Sequence, residues 1–110
     1  MQQRSTKVQK GEVHLIPFPF TDLSQSKLRP CVVIGCDRED ITVVFITSIK
    51  PKNVKCCIVK PSDKNNIKKI SYIRYTKIAT LDIRTSVGCI GILEKNTYQE
   101  LVHAIGKFIA

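Results

Sequence analysis

Two arginines, a threonine and a set of lysines are the residues of this sequence best suited to chemistry, and all of them suit a phosphate. Arg29 precedes Pro30, which biases it towards an extended backbone at the mouth of the aliphatic stretch Cys31-Val32-Val33-Ile34. A guanidinium offers a planar fork of donors that can engage two phosphate oxygens at once, a geometry lysine cannot match. Thr47 and its neighbour Ser48 end a β-branched run and bring hydroxyl donors. Residues 50–77 hold nine basic side chains, Lys68, Lys69 and Arg74 among them, against the single acid Asp63. Such a block attracts a polyanion through phosphate contacts and counterion release, although a solvated basic loop has the same composition. Tyr72 and Tyr75 interleave with these cations and could stack unpaired bases; aromatics in strands more often fill a core.

Other chemistries find less support. The two histidines, His14 and His103, are far apart in sequence, and no carboxylate or histidine cluster has metal-ligand spacing, which argues against a two-metal reaction and for no cofactor. The five cysteines are odd in number, and Cys56 and Cys57 are adjacent; both features read as reduced thiols of a cytoplasmic protein. Charged residues make up 25% and break every apolar run well short of a membrane span. The polar, basic start carries no signal-peptide pattern, so the expected location is cytoplasmic.

The elements that must position these groups are mostly strands. One domain is expected over residues 1–110, with 1–10 as a flexible segment. Partial alternation predicts a strand over 12–17, followed by a loop over 18–29 with Pro19, Thr21, Asp22, Ser24 and Ser26. Further strands are expected over 31–34, 41–49 and 54–60, then a polar loop over 62–69, then short strands over 71–74, 77–81 and 86–92. The period then changes. Tyr98, Leu101, Val102, Ile105, Phe108 and Ile109 recur at spacings of three and four, predicting a closing helix with Asn96 and Gln99 at its start.

In this order the motifs resemble a known family. The string Gly11-Glu12-Val13-His14-Leu15-Ile16-Pro17-Phe18-Pro19-Phe20-Thr21-Asp22, then Arg29-Pro30 and its aliphatic strand, is similar to the opening of the MazF/PemK-type toxins. Phe45-Ile46-Thr47-Ser48 resembles the end of that family's third strand. Ser71-Tyr72-Ile73-Arg74, with Lys77-Ile78 and Thr80-Leu81-Asp82, resembles a later stretch, and Ile90-Gly91-Ile92-Leu93 resembles its ending. The resemblance implies a mostly β, SH3-like small barrel with a C-terminal helix. It also implies a homodimer, a cognate antitoxin and metal-independent cleavage of single-stranded RNA at short sequences.

Cutting RNA through its own 2′-OH requires a proton acceptor, a proton donor to the leaving 5′-oxygen and donors for the crowded phosphorane. The resemblance makes Arg29 and Thr47 catalytic and Arg74 an RNA-phosphate contact, while the basic block, the interleaved aromatic and the adjacent hydroxyl add Lys68, Lys69, Tyr72 and Ser48 as RNA-binding residues. One branch of the family places an aspartate two residues after the arginine that matches Arg74. Here Thr76 stands there, which leaves the base unassigned, with Asp22 as a substitute. Rival readings are a non-catalytic RNA-binding module, a toxin that has lost activity, and a topoisomerase poison of the CcdB type. The last depends on a Trp-containing tail, and this sequence contains no Trp.

Overall fold

The computed structural model describes residues 7–18 and 27–110. Six strands, β1 (Glu12–Phe18), β2 (Lys27–Asp37), β3 (Asp40–Thr47), β4 (Cys57–Val59), β5 (Ser71–Asp82) and β6 (Gly88–Ile92), precede one helix, α1 (Lys95–Ile109). They form one sheet in the order β4-β5-β3-β2-β1-β6, with every neighbouring pair antiparallel. The resemblance implied a mostly β, SH3-like small barrel with a C-terminal helix, and the structure has that fold as a curled six-stranded half-barrel closed by α1.

Strand alternation divides the apolar residues between two faces. Val13, Val32, Val44, Ile46 and Ile73 bury one face beneath α1, where Leu101 is fully buried and Tyr98, Ala104 and Ile105 pack alongside. Ile16, Cys31, Val33, Ile41, Val43 and Phe45 form a second cluster on the other face, joined by Val8 and Leu81. Each such side chain, removed from water, contributes about 1.5–3 kcal/mol, which makes the middle of the sheet the rigid part of the molecule.

Several element boundaries differ from the sequence reading. β2 begins at Lys27, so Lys27, Leu28 and Arg29 are strand residues, and pairing with β1 continues through Pro30 opposite Leu15. The two short strands expected over 71–81 are one long β5, interrupted where its register against β3 jumps from Arg74 to Ile78. The helix starts at Lys95 with Glu94 in the capping position and no side-chain cap; Asn96 lies inside its first turn. Val102 and Ile109 are 48% and 69% exposed, so the buried stripe of α1 is narrower than the apolar spacing suggested. Among the described residues no helix is long and apolar enough to cross a membrane.

The segment after β4 docks on β6 and draws the two edges of the sheet together. The Ile92 N–H donates to the Lys64 carbonyl at 3.0 Å, and Asn66 Nδ2 donates to the Ile90 carbonyl at 2.6 Å. Gly91 permits this approach, since a Cβ there would lie 2.6 Å from the Lys64 carbonyl oxygen. Asn65, fully buried, ties the segment to itself. Its Oδ1 accepts the Ser62 and Ile67 N–H groups at 3.1 and 2.9 Å, and its Nδ2 donates to the Lys60 carbonyl and Glu94 Oε1 at 2.9 and 3.1 Å. The Ser62 hydroxyl donates to the other Glu94 oxygen. At the far end of the sheet, Asp37, Arg38, Glu39 and Asp40 form the β2–β3 turn beside Asp82, three acids to one base. Hydrogen bonds from Arg84 hold the Asp82 carboxyl at a pKa of about 2.

Candidate active site

The β2–β3 ladder pairs Val33 with Val43, Val32 with Val44 and Cys31 with Phe45. Arg29 and Thr47 lie just beyond the last pair of this ladder and line the same two clefts, at the end of the sheet remote from the acidic turn. Arg29 is half-buried and faces Ile16 on its other side. Thr47 is also half-buried, and its Oγ1 accepts the Ile49 N–H at 3.1 Å. That bond fixes the oxygen and leaves the hydroxyl proton to be donated outward.

Arg29 and Thr47 form the wall between two clefts. The larger, about 780 Å³, has Ser48, Lys68 and Lys69 around it, over a floor that includes Leu15, Pro30 and Ile46. The smaller, about 320 Å³, adds Phe45, Arg74 and Lys77 to Arg29 and Thr47. The register jump in β5 makes this second cleft possible: it places Arg74 opposite Phe45 and leaves Tyr75, Thr76 and Lys77 outside the ladder. The guanidinium of Arg74 lies over the Phe45 ring, and its Nε is buried with no hydrogen-bond acceptor among the described residues. Among the described residues lining the two clefts there is no carboxylate and no histidine.

The expected site residues thus fall in different places. Arg29, Thr47, Ser48, Lys68 and Lys69 meet around the larger cleft, and Arg74 joins Arg29 and Thr47 in the smaller. Tyr72 is half-buried opposite Thr47 in the ladder but lines neither cleft. Tyr75 is core, edge-on to Phe108 at 6.4 Å, and is not available to stack a base. Asp22 lies outside the described residues. Cys31, next to this wall, is a spectator: burial pushes its thiol up to about 12 despite the nearby Arg29 charge. Asn66 and Lys77 also line the clefts; the sequence places Lys77 in a family motif and the basic block but gives neither residue a role at the site. The Asn65-Asn66 pair was readable only as turn chemistry.

A curled antiparallel sheet backed by one helix, with a cationic cleft at one sheet end, sets the class of small basic β proteins. Residues 9–109 match the family of PemK-like, MazF-like toxins of type II toxin-antitoxin systems, and the chain belongs to that family. No curated protein sequence matches it significantly. Among solved structures, the chain is similar to an endoribonuclease in complex with its cognate antitoxin from a Mycobacterial species, at 17% identity and a TM-score of 0.73, covering 94% of this chain and 95% of that one. It is similar to the Mycobacterium tuberculosis toxin MazF-mt6 at 19% identity and 0.70, covering 89% and 95%. The MazE-MazF structure from Deinococcus radiodurans follows at 15% identity and 0.67, covering 94% and 97%.

Proposed function

We propose that this chain is a single-domain endoribonuclease toxin, an mRNA interferase that cuts single-stranded RNA at short sequences by attack of the RNA's own 2′-OH. One observation carries the reading. Three cations, Arg29, Arg74 and Lys77, share a small cleft with the Thr47 hydroxyl. Two planar guanidinium forks, an ammonium and a hydroxyl donor gathered at one cleft match the oxygens of a phosphodiester.

Arg29 then holds the non-bridging oxygens of the scissile phosphate and stabilises the phosphorane as charge grows on it. Thr47, its oxygen fixed by the Ile49 N–H, donates to the same phosphate. Arg74 holds a neighbouring phosphate, while Lys68, Lys69 and Ser48 guide the strand along the larger cleft. Tyr72 supports Thr47 from the next strand. Thr76 takes no proton at neutral pH, so the group that accepts the 2′ proton is not assigned, and Asp22 remains the candidate carboxylate. The exposed apolar residues Leu28 and Ile49 at the cleft mouths suit coverage by a protein partner, in keeping with a homodimer and a cognate antitoxin in the cytoplasm.

The test is incubation of the purified chain with a long RNA in excess EDTA, followed by mapping of the ends. Cuts bearing a 5′-hydroxyl and a 2′,3′-cyclic phosphate, and lost when the ribose before the cut is deoxyribose, are expected. Ends bearing a 5′-phosphate, or activity restored only by magnesium, would overturn the mechanism. Tight binding without any cut would favour the non-catalytic RNA-binding reading.

A further inference from the structure

The sequence spacing of Glu12, His14 and Cys89 conceals a cluster. Alternation puts Glu12 and His14 on the same side of β1, and the register shift after Val13 sets Cys89 of β6 opposite His14. One ligand atom from each residue lies within 4.8 Å of the other two. We infer that Glu12, His14 and Cys89 bind a divalent cation of the zinc class at the β1–β6 edge.

The donors fit such an ion. Zinc takes thiolate, imidazole and carboxylate at about 2.0–2.3 Å, so small side-chain rotations convert this cluster into three ligands, with water as the fourth. A nitrogen, sulfur and oxygen set selects zinc or cobalt over magnesium or calcium. The support around His14 is already built. Its Nε2 lies 2.9 Å from Glu12 Oε1, and its Nδ1 lies 2.7 Å from the Ser86 hydroxyl, which also accepts the Gly88 N–H at 3.1 Å. A hydroxyl can donate or accept, so Ser86 tolerates the tautomer in which Nδ1 carries the proton and Nε2 faces the metal. Binding releases one proton, from the Cys89 thiol; the ion's two positive charges then meet one thiolate and one carboxylate. Cys89 is exposed, which gives the ion a way in. None of the three residues lines either cleft, so this site is separate from the one that meets RNA.

Cobalt(II) titration of the full reduced chain tests the inference. A thiolate-to-cobalt charge-transfer band that saturates at one ion per chain is expected, and zinc should abolish it by displacement. Cys89→Ser should remove the band while its circular dichroism stays that of wild type, and Cys56→Ser should keep it. Glu12→Gln should weaken zinc by roughly tenfold or more in a competition assay. No band in the wild type, a band that survives Cys89→Ser, or one lost in Cys56→Ser would overturn the site. Because the readout is metal binding, failure here is distinguishable from failure of the RNA reading.

Discussion

The guanidinium carbon of Arg74 stands 5.9 Å from the centroid of the Phe45 ring, across the β3–β5 ladder. An aromatic face therefore holds this charge at the cleft wall. Stacking of this kind contributes about 0.5–1 kcal/mol at partly exposed sites, so Phe45→Leu should weaken RNA binding by about two- to fivefold with no change in net charge. Arg74→Lys should weaken it as well, since an ammonium keeps the charge and loses the plane. Equal affinity for wild type, Phe45→Leu and Arg74→Lys in fluorescence anisotropy would remove Arg74 from the RNA contact.

Arg29→Ala should lower the cleavage rate by about 10²–10³-fold while leaving the melting temperature close to that of wild type. Thr47→Val keeps the shape and deletes the hydroxyl, both the donor to phosphate and the acceptor of the Ile49 N–H, and its loss should be smaller than that of Arg29→Ala. Single-turnover rates on a defined RNA decide the order. A folded Arg29→Ala protein that cuts within a few-fold of wild type would return this residue to the surface.

Lys68 and Lys69 border the larger cleft, and the segment that carries them is fastened to β6. Neutralising both should flatten the slope of log K against log salt by roughly 1–2 units, at ~0.7 per single-strand phosphate contact. An unaltered slope would mean that the strand runs elsewhere.

Asn65→Ala removes four hydrogen bonds at a fully buried position and should cost about 2–4 kcal/mol in urea unfolding. The same knot predicts a pH dependence. The Ser62 hydroxyl above all, with Asn65 adding to it, holds the Glu94 carboxyl below its ordinary range. A depressed acid adds stability that is fully present above its unfolded pKa of about 4.3 and lost as pH falls through the lower folded value. The stability gap between wild type and Glu94→Gln should therefore be widest near neutrality and shrink in acid. A gap that does not change with pH would mean that Glu94 is not ionised in the knot.

Periodicity and residue type made the central strands legible: Ile41 to Ile46 are β-branched or aromatic, and they are the middle of the sheet. The start of β2 is hidden because Pro19, Thr21, Asp22, Ser24 and Ser26 make the stretch up to Arg29 read as loop, whereas pairing with β1 carries the strand back to Lys27. The helix start was misplaced because Asn96 has the better capping side chain, while tertiary contacts to Ser62 and Asn65 place Glu94 there. Arg29 and Thr47 were recognisable from their flanking motifs. Their shared wall needed the β2–β3 register, and the Asn65 knot and the Glu12–His14–Cys89 cluster needed contacts between distant segments that no local pattern encodes.

The acidic β2–β3 turn and the cationic clefts occupy opposite ends of the same strands. The molecule is consequently a long electric dipole laid along its sheet. On the proposed function, an approaching RNA exerts a torque on it before any contact is made, turning the cleft end forward and the Asp37–Asp40 end away. Orientation in solution, as much as attraction, then sets how often a collision becomes a docked strand, and salt that shortens the reach of this field acts on the rate of capture before it acts on the grip.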